Sequence, residues 1–303
     1  MKVGWILCGL CLILMTNRAF WTSLRRQHFW RQAISNRWQP CLSCRAVQSA
    51  RRQRTRVRSH PFQVFENRAL MADYTGNGVP DTSIILEHKV REALSALMTE
   101  ARLAARWDGL SSASRRAHQA ILKAYLARGE PPCISEFSAE TLSDLGRRDL
   151  VHVRDGEIAL AYPFSTQPTD FQVQVGGTEI PAICAVDALG TAAMVRRRTD
   201  VTCVCPTCGA SVSIGISPDG LSVEQASTPD PRVWTGVKDV GTCAADSQCK
   251  SMLLFCSPEH QDTWRRSQPQ SARGFDLSLS QGVQLGAAIS RPFLHAQTSK
   301  AAS

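Results

Sequence analysis

The segment that decides the fold of the second half of the chain is EIPAICAVDALGTAAM, residues 179–194. It is apolar or small almost throughout, and we predict a helix over Pro181–Met194. The segments DFQVQVGG, TCVCPTCGASVSIGIS and SMLLFCS, which lie on either side of it, are typical of short strands separated by turns. A buried helix among several short strands predicts an α+β domain with an antiparallel sheet over residues 166–290.

A helical part precedes this domain, over residues 80–165. Apolar residues recur at helical spacing over residues 82–106 and again over 112–128, and a capped third helix follows. Two short β-type runs around Asp155-Gly156 then predict a hairpin. Because helices followed by a hairpin are typical of a winged-helix domain, we predict such a domain over about residues 113–163.

The basic character of the chain comes from its first 70 residues. The formal charge is +9, but residues 1–70 hold 13 Lys or Arg and one acidic residue, whereas residues 71–303 hold 22 basic and 25 acidic residues. A helix that reads DNA should be strongly basic, and the third predicted helix sets Arg147 and Arg148 against three acidic residues. We therefore expect the winged helix to be a structural or partner-binding module and not a DNA-binding one.

Residues 1–70 also differ from the rest in their pattern. Lys2 and the apolar run Val3–Met15 resemble the start of a secretory signal. The run is shorter than the roughly 20 residues that a membrane helix needs, and no small-residue cleavage site follows. We interpret residues 1–70 as an upstream extension, with Met71 as the expected start. A membrane anchor or export signal and a basic binding arm are the alternatives. Residues 291–303 are interpreted as a tail.

Cysteine is abundant and unevenly distributed. Seven of the twelve cysteines fall between Cys184 and Cys256. A local cluster of thiols in a chain without a clear export signal favours soft-metal chemistry in a reducing compartment over an extracellular disulfide framework. We therefore expect a cytoplasmic protein.

Cys184 and Asp187 form an unusual pair within the apolar segment. On a helix, residues three apart share a face, so the carboxyl group should be buried beside the thiol. An ionised carboxylate is expensive to bury unless it is paired or uncharged. An inert core cysteine is the ordinary alternative, but it leaves the acid unexplained. The pair therefore indicates a function, and its apolar surroundings should raise the pKa of the carboxyl group by desolvation.

With its downstream cysteines included, the chain resembles the alkylmercury (organomercurial) lyase family over roughly residues 80–270. The motifs that carry the resemblance are Cys184-Ala-Val-Asp187, Cys205 followed by Gly209-Ala-x-Val212-Ser, and Cys249 leading into Leu254-Phe255. The resemblance implies that Cys184 and Cys249 are the catalytic cysteines, that Asp187 is the catalytic carboxylate and that Cys205 has a structural role. Ile183 and Lys250 depart from the family pattern, which bears on substrate preference.

The resemblance also implies a reaction, the protonolysis of a carbon–mercury bond to a hydrocarbon and Hg(II), as in mercury detoxification. Thiolates suit a soft cation, so Cys184 would take the organomercurial substrate, Cys249 would join as second ligand, and Asp187 would carry a proton to carbon. Hg(II) would stay bound to these residues as product until low-molecular-weight thiols or a mercuric reductase remove it. No organic cofactor is implied.

The alternative interpretation is a zinc-binding winged-helix regulator. Cys205-Pro-Thr-Cys208 has the spacing of a zinc knuckle, and Cys203 beside it is a further candidate ligand. A second closely spaced pair is not evident downstream, because Cys243, Cys249 and Cys256 are too far apart and neither His260 nor His295 completes a familiar pattern. Cys41-Leu-Ser-Cys44 could serve as the second pair only if residues 1–70 are a genuine part of the protein. The sequence therefore favours the lyase over zinc at Cys203, Cys205 and Cys208.

Overall fold

The computed structural model describes residues 80–99, 103, 106, 109–238, 241 and 243–295. The predictions for residues 1–70, and for the part of the tail that follows His295, lie outside these residues. Among the helices described, none has both the length and the apolar character that crossing a membrane requires.

Three helices and a hairpin make up the first part of the described chain. The helices are α1 (His88–Met98), α2 (Ser112–Arg128) and α3 (Ala139–Arg147), and the strands are β1 (Val151–Arg154) and β2 (Glu157–Ala161). Ser111 and Ser138 cap α2 and α3, each accepting a hydrogen bond from a backbone N–H three residues on. The predicted second and third helices and the predicted hairpin are confirmed.

The hairpin is continuous with a large antiparallel sheet of eight strands, in the order β1-β2-β3-β5-β4-β6-β7-β8. The further strands are β3 (Phe164–Ser165), β4 (Phe171–Val175), β5 (Thr178–Ala182), β6 (Thr199–Val204), β7 (Ser211–Ile216) and β8 (Val223–Ala226). Because β2 pairs with β3 and β3 with β5, the strands on both sides of residue 165 belong to one sheet. The division into domains at that residue stays a prediction.

A second antiparallel sheet has three strands in the order β10-β9-β11. The remaining elements are β9 (Arg232–Val237), β10 (Met252–Phe255), β11 (Arg273–Ser278), α4 (Ala185–Val195), α5 (Pro258–Ser267) and α6 (Leu279–Leu294). Helix α4 contacts strands of both sheets and lies along α6. This arrangement of helices and antiparallel sheets is the α+β architecture that the sequence predicts.

Two glycines allow α4 and α6 to approach each other closely. A Cβ atom on Gly286 would lie 2.6 Å from the carbonyl oxygen of Val186, and one on Gly190 would overlap the backbone of Gly286. Every residue of α4 from Ala185 to Met194 is buried. The small residues of the segment therefore allow α4 to pack closely against α6.

The central helix begins later than predicted. The expected start was Pro181, but Pro181 and Ala182 belong to β5, and α4 starts at Ala185. Pro181 pairs with Gln172 of β4, whereas the neighbouring β3 pairs with β5 only through Phe164 and Ala182. A proline, which has no backbone N–H, is tolerated there because β5 forms few backbone hydrogen bonds with β3. Likewise, α6 continues to Leu294, four residues into the predicted tail.

Candidate functional site

The first turn of α4 positions two of the predicted site residues. Cys184 is the N-cap of the helix in an extended conformation, and its sulfur accepts a hydrogen bond from the backbone N–H of Asp187 over 3.5 Å. The Cys184 thiol in turn donates to Oδ2 of Asp187 over 3.0 Å. The two side chains are therefore in direct contact, through a turn of backbone that is itself buried.

The third predicted residue comes from a different part of the chain. Cys249 opens a short 3₁₀ turn, Cys249–Ser251, that leads into β10. One ligand atom from each of Cys184, Asp187 and Cys249 lies within 4.8 Å of the other two. All three residues are buried, and neither cysteine is in a disulfide. The structure thus brings together residues 65 positions apart in the sequence at one point.

A cavity opens beside these three residues. Its polar lining comes from Asp187, Arg106 and Gln248, and its apolar lining includes Leu97, Leu103, Val186, Met252 and Ile289. The thioether sulfur of Met252 lies 3.4 Å from the Cys184 sulfur. The cavity is therefore lined by two thiols, two thioethers (Met98 and Met252) and one carboxyl group in mostly apolar surroundings, which suits a soft cation that carries an apolar group.

Burial is the main cause of the raised pKa values of Asp187 and Cys184. It raises the pKa of Asp187 to about 6, although the hydrogen bond from Cys184 and the charge of Arg106 act in the opposite direction. Burial also raises the pKa of the Cys184 thiol well above its ordinary value, and the neighbouring Cys249 and Asp187 add to this effect. The raised pKa of Asp187 agrees with the effect expected from its apolar surroundings.

Sequence reasoning missed the polar residues behind the cavity. The Arg106 guanidinium donates to Oδ2 of Asp149 over 2.6 Å and lies 3.7 Å from the centre of the Tyr162 ring. The Tyr162 hydroxyl accepts a hydrogen bond from the Cys249 thiol over 3.9 Å. Arg106 and Asp149 are both buried. From the sequence, only Asp149, an acidic residue just before a predicted strand, could have suggested this network. Its partner Arg106 lies 43 residues earlier in the chain.

A second group of potential metal ligands lies at the other end of β10. Cys205, Cys208, Cys256 and His260 each offer one ligand atom, and the four atoms lie within 4.8 Å of one another. Cys205 and Cys208 follow β6, Cys256 follows β10, and His260 lies in the first turn of α5. We refer to these four residues as the Cys3His cluster.

This arrangement corrects two expectations drawn from the sequence. The proposed zinc ligand Cys203 is not in the cluster, because it lies inside β6, where it pairs with Phe171 and Val212. The sequence also offered only Cys41 and Cys44, outside the described residues, as a closely spaced partner for the Cys205–Cys208 pair. The partner is Cys256 with His260, which come close together because the chain turns from β10 into α5 between them. Cys243 and Cys249 lie elsewhere.

Comparisons with known proteins agree on one family. Residues 164–291 match the family model described as alkylmercury lyase. An alkylmercury lyase from Staphylococcus epidermidis is 25% identical over 154 residues, which are 48% of this chain and 70% of that protein. The crystal structure of the mercury-bound form of MerB2 has the same fold, with a TM-score of 0.54 and 20% identity over 68% of this chain and 100% of that one.

Proposed function

We propose that this chain, whose residues 164–291 match the alkylmercury lyase family model, is an enzyme of that family and cleaves carbon–mercury bonds by protonolysis. The observation that carries the proposal is the meeting of two free thiols and one carboxyl group in a buried, mostly apolar cavity. The products would be a hydrocarbon and Hg(II), which is the chemistry of mercury detoxification.

The two cysteines would hold the mercury atom. A thiolate is the ligand class that a soft cation prefers, and a second thiolate increases electron donation to mercury. Cys184 would bind first because its proton already has an acceptor, Asp187, at 3.0 Å. Cys249 would then complete the pair, since its sulfur lies within 4.8 Å of both partners.

Asp187 would carry the proton. A carboxyl group with a pKa of about 6 is roughly one-tenth protonated at pH 7, whereas one with an ordinary pKa is only about 0.1% protonated. Asp187 would therefore accept the thiol proton as the Cys184 sulfur bonds to mercury, and it would then deliver that proton to carbon. A group whose pKa lies near the working pH suits both steps of general acid–base catalysis.

The atoms of this reaction balance without any further reagent. Two thiol S–H bonds are lost as two mercury–sulfur bonds form. One proton leaves with the ligand displaced from the incoming organomercurial, and the other passes from Asp187 to the carbon atom as the carbon–mercury bond breaks. No electron is gained or lost, so no redox cofactor is required.

Arg106 would stabilise the negative charge that appears during the reaction. It is a buried cation on the wall of the cavity, where its positive charge would offset negative charge on the groups that bind mercury. Asp149 holds the guanidinium by a buried ion pair of 2.6 Å. Arg106 would thus act through its charge, without taking part in proton transfer.

We propose that α2, α3 and the β1–β2 hairpin form a winged-helix module with a structural role. The proposal rests on the order of these elements along the chain. A structural role is favoured over DNA binding, because Arg147 and Arg148 of this module both pair with Asp144 and the hairpin continues into the large sheet.

Hg(II), the metal product, would be transferred to low-molecular-weight thiols or to a mercuric reductase in the cytoplasm.

Hydrocarbon release tests the proposal. The full chain is incubated with phenylmercury and excess thiol, and benzene is measured by gas chromatography. We expect steady release by the wild-type protein and none above background from Cys184→Ser or Cys249→Ser. Cys203→Ala is the matched control, because it removes a buried thiol outside the cavity and should retain release. If the wild-type protein released no benzene, or if both serine variants stayed active, the proposal would be wrong.

A further inference from the structure

We propose that the Cys3His cluster, Cys205, Cys208, Cys256 and His260, is a resident zinc site with a structural role. It is separate from the cavity where the carbon–mercury bond would be cleaved, since none of its four residues lines that cavity. The proposal concerns a metal that stays bound to the protein, whereas mercury would enter and leave as substrate and product.

The distances within the cluster fit a tetrahedral zinc ion. With Zn–S bonds of about 2.3 Å and Zn–N bonds of about 2.0–2.1 Å, two sulfur ligands should lie about 3.8 Å apart and a sulfur and a nitrogen about 3.6 Å apart. The sulfurs of Cys208 and Cys256 are 3.7 Å apart. Nδ1 of His260 lies 4.0 Å from the Cys205 sulfur and 2.8 Å from the Cys256 sulfur. Small rotations of the His260 ring would equalise the last two distances.

The backbone around Cys205 has the form of a metal knuckle. The chain makes a tight turn in which the N–H of Gly209 donates to the carbonyl of Cys205 over 2.9 Å and the N–H of Cys205 to the carbonyl of Ala210 over 2.8 Å. Gly209 has φ +74°, a conformation that favours glycine.

The other half of the cluster is tied to this knuckle independently of any metal. The hydroxyl of Thr207 donates to the backbone carbonyl of His260 over 2.8 Å. Ser257, between Cys256 and His260, caps α5 by accepting from the N–H of His260. Both halves are therefore held in place by hydrogen bonds, and the ligands converge without a large rearrangement.

A complete set of four nitrogen and sulfur ligands is typical of structural zinc and leaves no open position for catalysis. Zinc here would connect the turn after β6 with the junction of β10 and α5. β6 and β10 belong to different sheets. β10 is four residues long and leads from the Cys249 turn to Cys256. The ion would thus stabilise the strand that carries one cysteine of the reaction centre, at roughly 13 Å or more from it.

Metal analysis of the purified full chain tests this site. The protein is produced with zinc in the medium and no organomercurial, dialysed against metal-free buffer and analysed by mass spectrometry for metals. We expect about one zinc per chain. Cys208→Ser should lower zinc affinity by about 100-fold or more, and because Cys208 is exposed this variant should still fold. Cys203→Ala, two residues before the cluster, is the matched control and should retain zinc.

Cobalt provides a measurement that needs no variant. Wild-type protein reloaded with Co(II) should show visible bands of tetrahedral cobalt and near-ultraviolet bands of thiolate ligands, and zinc should displace them. Removal of zinc by a strong chelator should lower the melting temperature. Wild-type protein with well under one zinc per chain and no thiolate–cobalt bands would overturn the proposal. So would zinc that is retained in Cys208→Ser but lost in Cys249→Ser. None of these readouts depends on lyase activity, so the two proposals fail separately.

Discussion

The Cys184 thiol and the Asp187 carboxylate are in contact at 3.0 Å across the first turn of one buried helix. The same sulfur accepts from the Asp187 backbone N–H, so donor and acceptor are held by the helix start itself. The contact therefore requires no movement of the backbone for the proposed proton transfer between these two groups. The relationship makes Asp187 the residue on which the proposed proton transfer can be tested most directly.

Asp187→Asn should separate mercury binding from bond cleavage. The amide keeps the shape of the side chain and still accepts a hydrogen bond from the thiol, but it does not carry the proton. We expect benzene release to fall by about 100-fold or more, in the range typical for loss of a general acid or base. Both thiols remain, so the variant should still bind one Hg(II) per site, measured by metal analysis after addition of mercuric salt. Equal release by variant and wild type would contradict the proposed role.

The same variant should change how stability depends on pH. The pKa of Asp187 is about 6 in the folded protein against an ordinary 3.8, so the folded state binds this proton more tightly. The contribution of Asp187 to the free energy of unfolding should therefore fall as pH rises from about 4 to about 6, and stay lower above it, by about 3 kcal/mol.

In Asp187→Asn this fall should be absent, which makes the variant the more stable protein at pH 7 but not at pH 4. Urea unfolding at several pH values measures the effect. Asp262→Asn, at an exposed position of α5, is the control and should keep the wild-type profile. A constant difference between Asp187→Asn and wild type at all pH values would contradict this prediction.

The buried pair of Arg106 and Asp149 should be strongly coupled. Arg106→Met leaves the Asp149 carboxylate with His152 as its one remaining close basic partner among the described residues, and we expect a loss of about 3 kcal/mol in the free energy of unfolding. Asp149→Asn in the same chain should recover part of this loss, with a coupling energy of about 1–3 kcal/mol in a double-mutant cycle. Arg147→Met breaks an exposed ion pair and should cost less than about 1 kcal/mol. Additive losses in the cycle would show that the two residues do not interact.

Helix packing should respond to a single methyl group. Gly190→Ala places a Cβ atom against the backbone of Gly286, which should destabilise the protein by about 1–3 kcal/mol and lower benzene release, since α4 carries Cys184 and Asp187. Gly241→Ala has open space around the new methyl group and should change the stability by no more than about 0.5 kcal/mol. The midpoint of thermal unfolding checks both. A neutral Gly190→Ala would mean that α4 and α6 separate at little cost.

The sequence predicted the elements whose signals are local. Ser138 as a cap, the hairpin around Asp155-Gly156 and the strands on either side of Cys205 were found where expected, because capping, turn chemistry and alternation act over a few residues. The start of α4 was missed, since its apolar periodicity merges with that of β5 and gives no sign that the chain changes conformation at Cys184.

The sites depend on contacts that local signals do not report. The resemblance to a family led to Cys249 as the partner of Cys184, which spacing alone would not have done. Nothing near Arg106 marked it as buried, and nothing near His260 marked it as a neighbour of Cys205, because both contacts join segments more than 40 residues apart. Spacing within the sequence disfavoured a zinc site, whereas the fold brings Cys256 and His260 close to Cys205 and Cys208.

The sulfur that would hold mercury is also the atom that caps α4. A chain with one residue inserted or deleted between β5 and α4 would therefore shift the reactive atom and the helix origin together. Such a change would abolish the site outright and could not be repaired by a new side-chain rotamer. The length of this connection is then as strict a requirement for the enzyme as the identity of its cysteines.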